Sequence, residues 1–259
     1  MKKVLLFLSL ILAMVCETSF AKNVSGLDVN LASVLNSCQD GDELCFEQYV
    51  VIKSCTITKS VTLKLENGTT FDGQLVISNG AKVTLRGAGN ISFKNVSVND
   101  YSIEVANGNF TYEGSGWNLD AANNCRGAVL VKKGSFTANG GRISGNEGIV
   151  ARKYDGSTDD VKIRILNGTE IWKTQVALYM DVNGLLVVDN PGTYEGIQSE
   201  KQGIVVLAGI AELSNINYAI HNSGPVGAVE DREKPTLHNK VPYIGGEPVV
   251  ALKIGSTSG

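Results

Sequence analysis

The apolar and polar positions of this chain repeat as a phrase about every 25 residues. The phrase reads apolar-x-apolar, then a few residues rich in Gly and Asn, then another large apolar residue. Its copies are Leu63/Leu65 then Phe71, Val83/Leu85 then Ile91, Phe110/Tyr112 then Leu119, and Phe136/Ala138 then Ile143. Ile163/Ile165 then Ile171, Leu186/Val188 then Tyr194, and Ala211/Leu213 then Ile216 complete the series. From one first anchor to the next the steps are 20, 27, 26, 27, 23 and 25. A fixed period of this size marks a solenoid.

Further short apolar runs, among them Val76-Ile77, Ile103 to Val105, Val129-Leu130-Val131 and Ile204 to Leu207, precede the anchors and lead into corners such as Gly80, Gly108, Gly134 and Gly209. Glycine supplies the positive φ that a tight corner needs. Each repeat therefore holds three short strands separated by corners. An antiparallel sandwich has no reason to repeat one phrase with one internal spacing, whereas a coil passing the same three faces does. The expected fold class is all-β, a single-stranded right-handed parallel β-helix of about seven rungs. At about 4.8 Å per turn it makes a rod roughly 34 Å long.

The one helix signal after the leader covers residues 29–37, where Val29, Leu31, Val34 and Leu35 are apolar and Asn30 can cap. With the polar turn Asp40-Gly41-Asp42 it is expected to cover the first rung, whose open sheet edge would otherwise invite pairing with other chains. Asn95, Asn123, Asn146, Gln175 and Asn222 follow the last anchors at similar distances and predict a structural ladder of stacked amides.

Residues 1–21 read as a signal peptide: Lys2 and Lys3, an apolar run over residues 4–15, and small residues at Ser19 and Ala21, placing the mature start at Lys22. Lipidation at Cys16 is the rival reading, and Val15 before it is larger than such a signal wants. The domain plan is then residues 1–21 signal, 22–55 cap, 56–225 β-helix, and 226–259 a charged loop excursion followed by the start of a further rung. That rung is expected to be completed either by something else or by chain beyond Gly259, the second being favoured. The expected location is outside the cell, secreted or on the surface, with no transmembrane segment in the mature chain.

Removing Lys2, Lys3 and Glu17 leaves 21 basic and 25 acidic residues, a net charge of −4. This balance argues against nucleic acid and against electrostatic docking on anionic lipid. Cys38, Cys45, Cys55 and Cys125 survive processing, an even number in an exported chain, and are disulfide candidates with three possible pairings. No CxxC pair exists and the two histidines, His221 and His238, lie far from the cysteines, so no metal site is expected. No cofactor is expected either, since no phosphate-binding glycine loop is present.

Three stretches carry a resemblance: Leu31-Ala-Ser-Val-Leu-Asn-Ser; Asp40-Gly41-Asp42-Glu43-Leu44; and Thr56-Ile57-Thr58-Lys59-Ser60-Val61-Thr62-Leu63. Together they resemble the opening of pectin-lyase-like right-handed parallel β-helices. The stretch from Gly134 to Asn146 is similar to repeats of bacterial surface and autotransporter-like β-helix proteins. The resemblance spans residues 29–225 and implies a fold that hosts lyases, hydrolases, esterases and non-catalytic adhesins.

The residues that those enzymes need do not carry over. No Asp cluster with a following Arg suits calcium-dependent lyase chemistry. Asp159-Asp160 is the only vicinal Asp pair, in a turn-rich insertion with Tyr154, and reads first as a solvated loop. Gln175 begins a short likeness to pectin methylesterases whose Asp motifs are absent. Neither His sits near a nucleophile elbow. Trp172, next to the inward anchor Ile171, is expected to point outward, either packed under a loop or as a platform for a sugar ring. The ligand-contact candidates are thus Trp172, Tyr154, Asp159 and Asp160, with no catalytic residue assigned. The expected function is an exported non-catalytic scaffold, adhesin-like and contacting polysaccharide or host-surface glycan. The alternative is a lyase or glycoside hydrolase acting on acidic polysaccharide.

Overall fold

A computed structural model describes residues 20–87, 89–114, 117–191, 197–199, 202–214, 220–222, 236–239 and 252–254. The expected signal peptide, Cys16 included, lies outside these residues up to Phe20, as do Tyr194 and Ile216. The chain winds as an all-β parallel solenoid of about seven turns. One face is a ten-stranded parallel sheet in chain order, from Ala21–Val24 to Thr236–Asn239. The second and third faces form one continuous sheet, because Arg142–Arg152 and Glu170–Asp181 run through the corner between them. A typical turn passes Gly108–Glu113 on the first face, Asn118–Asp120 on the second and Gly127–Val131 on the third.

Alternation decides which side chains enter the coil. In Ala81–Gly87, Ala81, Val83 and Leu85 are buried while Lys82, Thr84 and Arg86 face out. Register then stacks the inward residues: Val83 on Phe110, Phe136, Ile163, Leu186 and Ala211. On the second face Ile91, Leu119, Ile143, Ile171 and Ile197 align. On the third, Leu75, Ile103, Val129, Ile149, Leu178 and Ile204 align. Aromatic rings stack between turns, Phe71 with Phe93 at 5.0 Å and Phe110 with Phe136 at 5.8 Å. Each such buried side chain contributes about 1.5–3 kcal/mol over its exposed state, so the column of anchors is the core.

Register corrects the anchors at both ends of the series. Leu63 pairs with Leu85, so the first copy of the phrase is Val61/Leu63. Phe71 pairs with Phe93, not Ile91. Ile197 occupies the rung position assigned to Tyr194. The first member of the expected amide ladder pairs with a carboxylate. Asn95 donates to Asp72 at 2.7 Å, and Asn123 and Asn146 are exposed. Polar ladders run up the outside: Asn167 to Asn139 at 2.6 Å, Thr70 with Ser92 at 3.0 Å, and Ser135 to Asn109 at 2.6 Å. Outward side chains one turn apart are about 4.8 Å apart, so short polar groups bond directly up the axis.

The helix covers Leu31–Asn36, shorter than expected because Val29 and Asn30 belong to the strand Asp28–Asn30. Asn30 accepts from the Ser33 amide at 3.2 Å, and Leu31 and Leu35 are buried. Lys59 ties down the helix end by donating to Leu35 O and Cys38 O at 2.9 and 2.7 Å.

All four described cysteines are free thiols. Cys38 is buried behind the helix, whereas Cys45 alternates outward between the buried Leu44 and Phe46. Cys55 and Cys125 lie near the same corner but three turns apart by register, about 14 Å against the 7 Å that a disulfide tolerates.

Part of the excursion expected within residues 226–259 continues the solenoid, since Thr236–Asn239 adds a strand to the first face. Leu252–Ile254 pairs with residues 204–206 on the third face, the place expected for one more rung.

Candidate functional site

The third face breaks the rule of apolar inside and polar outside. In Gly127–Val131 every residue is buried, so Leu130 is covered although it points outward, and Val150 is covered in the next turn. Tyr101, Leu130, Val150 and Tyr179 make a second small apolar cluster outside the coil. Four charged side chains roof it. Asp155 accepts from Arg126 at 2.8 Å and from Arg152 at 3.2 Å. Glu147 accepts from Arg152 at 3.2 Å and from the Tyr101 hydroxyl, and lies 3.7 Å from Arg126. Arg152 stacks 4.5 Å above the Tyr179 ring, and Arg126 lies 5.6 Å from the Tyr101 ring centre.

Burial alone would lower the Arg152 pKa, but Glu147, Tyr101 and Asp155 around it hold it above its ordinary value. Burial, and then the Glu147 charge, push the Tyr101 phenol well above its ordinary value. Tyr101 is therefore a hydrogen-bond donor here and not a base.

Asp155 enters this roof from a short 3-10 turn, Lys153–Asp155, closed by Gly156 at φ 87°. The turn starts a loop that leaves the third face and returns to the first at Val161. Ser157 staples it to the sheet, donating to Val131 O at 2.7 Å and accepting from the Arg152 amide at 2.9 Å. Beyond the loop opens a groove of about 510 Å³ lined by Lys153, Tyr154, Asp159, Asp181, Val182, Asn183 and Ala208. Tyr154 stands at its lip, 90% exposed. Asp159 accepts from the Asn183 amide at 2.9 Å, fixing the rim.

Two of the four contact candidates thus share one groove, Tyr154 and Asp159. Asp160 stands beside them, exposed and 3.8 Å from Lys133. Trp172 lies on a different face, in the second column, directly above Ser144. It points outward, half-buried, with Arg142 stacked 4.4 Å over its ring and Glu170 holding Arg142 at 3.1 Å. Its indole nitrogen is buried without a hydrogen-bond partner among the described residues.

Sequence reasoning missed Arg126, Glu147 and Arg152. Their signal was the pair of continuous apolar runs Val129-Leu130-Val131 and Ile149-Val150-Ala151 in consecutive turns. An outward apolar position in two successive turns requires a cover.

Chemically, the roof is saturated. Each carboxylate is bonded to at least one arginine, and both arginines are spent on carboxylates and rings. Among the described residues no three His, Cys, Asp or Glu side chains gather to hold a metal ion. The groove offers an exposed aromatic face with carboxylate, amide and ammonium groups on its rim, a set suited to holding a polyhydroxylated ring. No protein-family model, curated protein or solved structure matches this chain. The class is defined by architecture alone: a parallel β-solenoid.

Proposed function

We propose that the chain is an exported, non-catalytic β-helix whose third face contacts carbohydrate, of the pectin-lyase-like kind and nearest in style to bacterial surface and autotransporter-like repeat proteins. The observation that carries this reading is Tyr154, displayed at the lip of a groove beside Asp159 and Asn183. Fixed, exposed aromatic rings bind sugars by stacking, while polar rims orient the hydroxyls. A glycan array probed with the wild type and Tyr154→Ala tests it. Loss of the bound glycans in the variant, with an unchanged melting curve, supports the reading; equal binding removes the groove from consideration. Trp172→Ala on the same array reports whether the second face contributes.

The convergence of Arg126, Glu147, Arg152 and Asp155 favours the second reading, a lyase or hydrolase of acidic polysaccharide. Their mutual saturation weighs against it, because acid and base roles require one free carboxyl and one positioned partner. Incubation with polygalacturonate, followed by reducing-end and unsaturated-product assays, separates the two. Sequencing the N-terminus of the exported product checks the expected start at Lys22.

A further inference from the structure

Left-handed corners of this coil fall to glycine and asparagine, with one exception. Among the described residues, five other than glycine have φ between 49° and 58°: Asn79, Asn95, Asn167, Asn190 and Tyr49, the last at 58°. Asparagine tolerates this region, whereas a bulky ring is strained in it. Burial does not offset the strain, since Tyr49 is 65% exposed. The ring is nonetheless fixed. The Tyr49 amide donates to Asn67 O at 3.0 Å, and Cε1 stands 2.9 Å from where a Cβ of Gly68 would be. Tyr49 thus fills the place of the side chain that Gly68 lacks. A strained, exposed ring that the core does not require points to a role outside the fold.

Register puts Gly68 at the margin of the second face, in a row with Asn90, Asn118, Arg142 and Glu170 on successive turns. Below Gly68 the row holds Tyr49 and then Gly26. Arg142 and Glu170 are bonded to each other. The neighbouring row is bonded within itself, Thr70 with Ser92 and Ser144 to Asp120, and runs on to Trp172. The side-chain amides of Asn90 and Asn118 make no hydrogen bond among the described residues, whereas those of Asn95, Asn109, Asn139 and Asn167 are engaged. One turn is about 4.8 Å, so a ring and two open amides line up over about 10 Å.

We propose that this row binds a short stretch of an uncharged linear glycan, one sugar stacked on Tyr49 and the hydroxyls of the next bonded by Asn90 and Asn118. An amphipathic ring takes the apolar face of a sugar, and each amide offers a donor and an acceptor to its hydroxyls. Charge sets the class. Glu47 and Glu66 stand two positions before Tyr49 and Gly68, and Asp120 two positions after Asn118. Lys53 and Lys64 are four positions from Tyr49 and Gly68, Lys64 on the first face. The row's own cation, Arg142, is held by Glu170. The charges closest along the chain are acidic and disfavour an anionic polymer. A protein or lipid partner would want a contiguous apolar patch. Here Glu47 and Gln48 beside the ring are exposed and polar, and Leu27, also exposed, lies one turn below while the ring leans onto the turn above. This contact is separate from the groove at Tyr154, which belongs to a later turn.

The test is native electrophoresis of the full chain through gels containing hydroxyethylcellulose, xyloglucan or galactomannan, with polygalacturonate as the acidic control. Retardation by at least one neutral polymer, and not by polygalacturonate, is expected. Tyr49→Asn should weaken it about tenfold. The same variant should melt at an equal or higher temperature, because asparagine suits the left-handed backbone. Tyr49→Phe keeps the ring and should keep the binding. Asn90→Ala and Asn118→Ala should each weaken it about fivefold, the worth of one hydrogen bond. Tyr154→Ala should leave it unchanged, so that either glycan contact can fail while the other stands. No retardation by any of the three polymers, equal retardation by polygalacturonate, or insensitivity to Tyr49→Asn overturns the proposal. A lower melting temperature of Tyr49→Asn also overturns it, by making the ring a mere cover for Gly68. So does a dimer in sedimentation that Tyr49→Asn abolishes, which would give the ring to a second copy of the chain.

Discussion

Tyr101 donates its hydroxyl to Glu147, a residue 46 positions further along the chain and two turns higher in the coil. Gly127 occupies the turn between them. A Cβ there would lie 2.8 Å from the Tyr101 ring and 2.8 Å from the Glu147 side chain. The missing side chain is what lets the phenol pass over one turn to reach the next. Gly127→Ala should therefore separate the pair and lift the roof of Arg126, Arg152 and Asp155 from the apolar patch beneath it. Glu147→Gln keeps the volume but removes the charge that faces both arginines, and costs about 2–3 kcal/mol. Tyr101→Phe removes one hydrogen bond and costs about 1 kcal/mol. Urea denaturation of the three variants checks the order.

Corner glycines should divide sharply by what lies above them. Gly134 has φ 95°, and a Cβ on it would stand 1.9 Å from the Gly108 carbonyl oxygen one turn below. That oxygen is fixed by the sheet and cannot move away, so Gly134→Ala is expected to cost more than about 3 kcal/mol. Gly168 has a similar φ of 79° with open space around its missing Cβ. Gly168→Ala pays only for the left-handed backbone, about 1 kcal/mol. Similar melting temperatures for the two variants would show that stacking of corners does not limit substitution.

The period made the coil legible because inward residues repeat in kind: Val83, Phe110, Phe136, Ile163 and Leu186 are all large and apolar, and register confirms them as one column. The cap was legible for the same local reason, Asn30 ahead of Leu31 and Leu35. Register at the ends was not, since Val61, Leu63 and Leu65 are all apolar and alternation alone permits a slip of two. The groove was half legible. Tyr154 and Asp159 stood out as a polar insertion, but Asp181 and Asn183 belong to a later turn, and no local pattern states which turns adjoin.

The thiols supply a chemical test of the fold. With Cys38, Cys45, Cys55 and Cys125 all unpaired, reductant should leave the melting temperature unchanged, and all four should alkylate in denaturant without prior reduction. In the folded protein burial pushes the Cys55 thiol up to about 11. At pH 8 the reactive thiolate of Cys55 is then on the order of one part in a thousand, so its alkylation should be slow and should accelerate as pH rises towards 11. Peptide mapping after a timed pulse of iodoacetamide reads this directly. A disulfide between Cys55 and Cys125 recovered under non-reducing denaturing conditions would require the turns to stack differently.

The first turn carries its own pH signature in Lys22 and Asp42. Their ion pair is 2.6 Å long, and the Asp42 side chain also accepts from the Gln39 amide at 2.9 Å. The hydrogen bond from Lys22, then that from Gln39, lowers the Asp42 pKa from its ordinary 3.8. The same hydrogen bond to Asp42 outweighs burial and raises Lys22 above its ordinary 10.5. A carboxyl with a depressed folded pKa contributes stability that is complete above the unfolded value and fades as pH falls through the folded one. For Lys22 the sign is opposite: its contribution is complete below 10.5 and fades as pH rises past it. Lys22→Met should therefore lower stability at neutral pH and flatten its decline on acidification below about pH 4. Wild type and variant should converge at the acid end, where Asp42 is protonated in both. Urea midpoints measured from pH 2 to 7 give the comparison, and parallel curves across that range would mean that this pair does not hold the first turn in place.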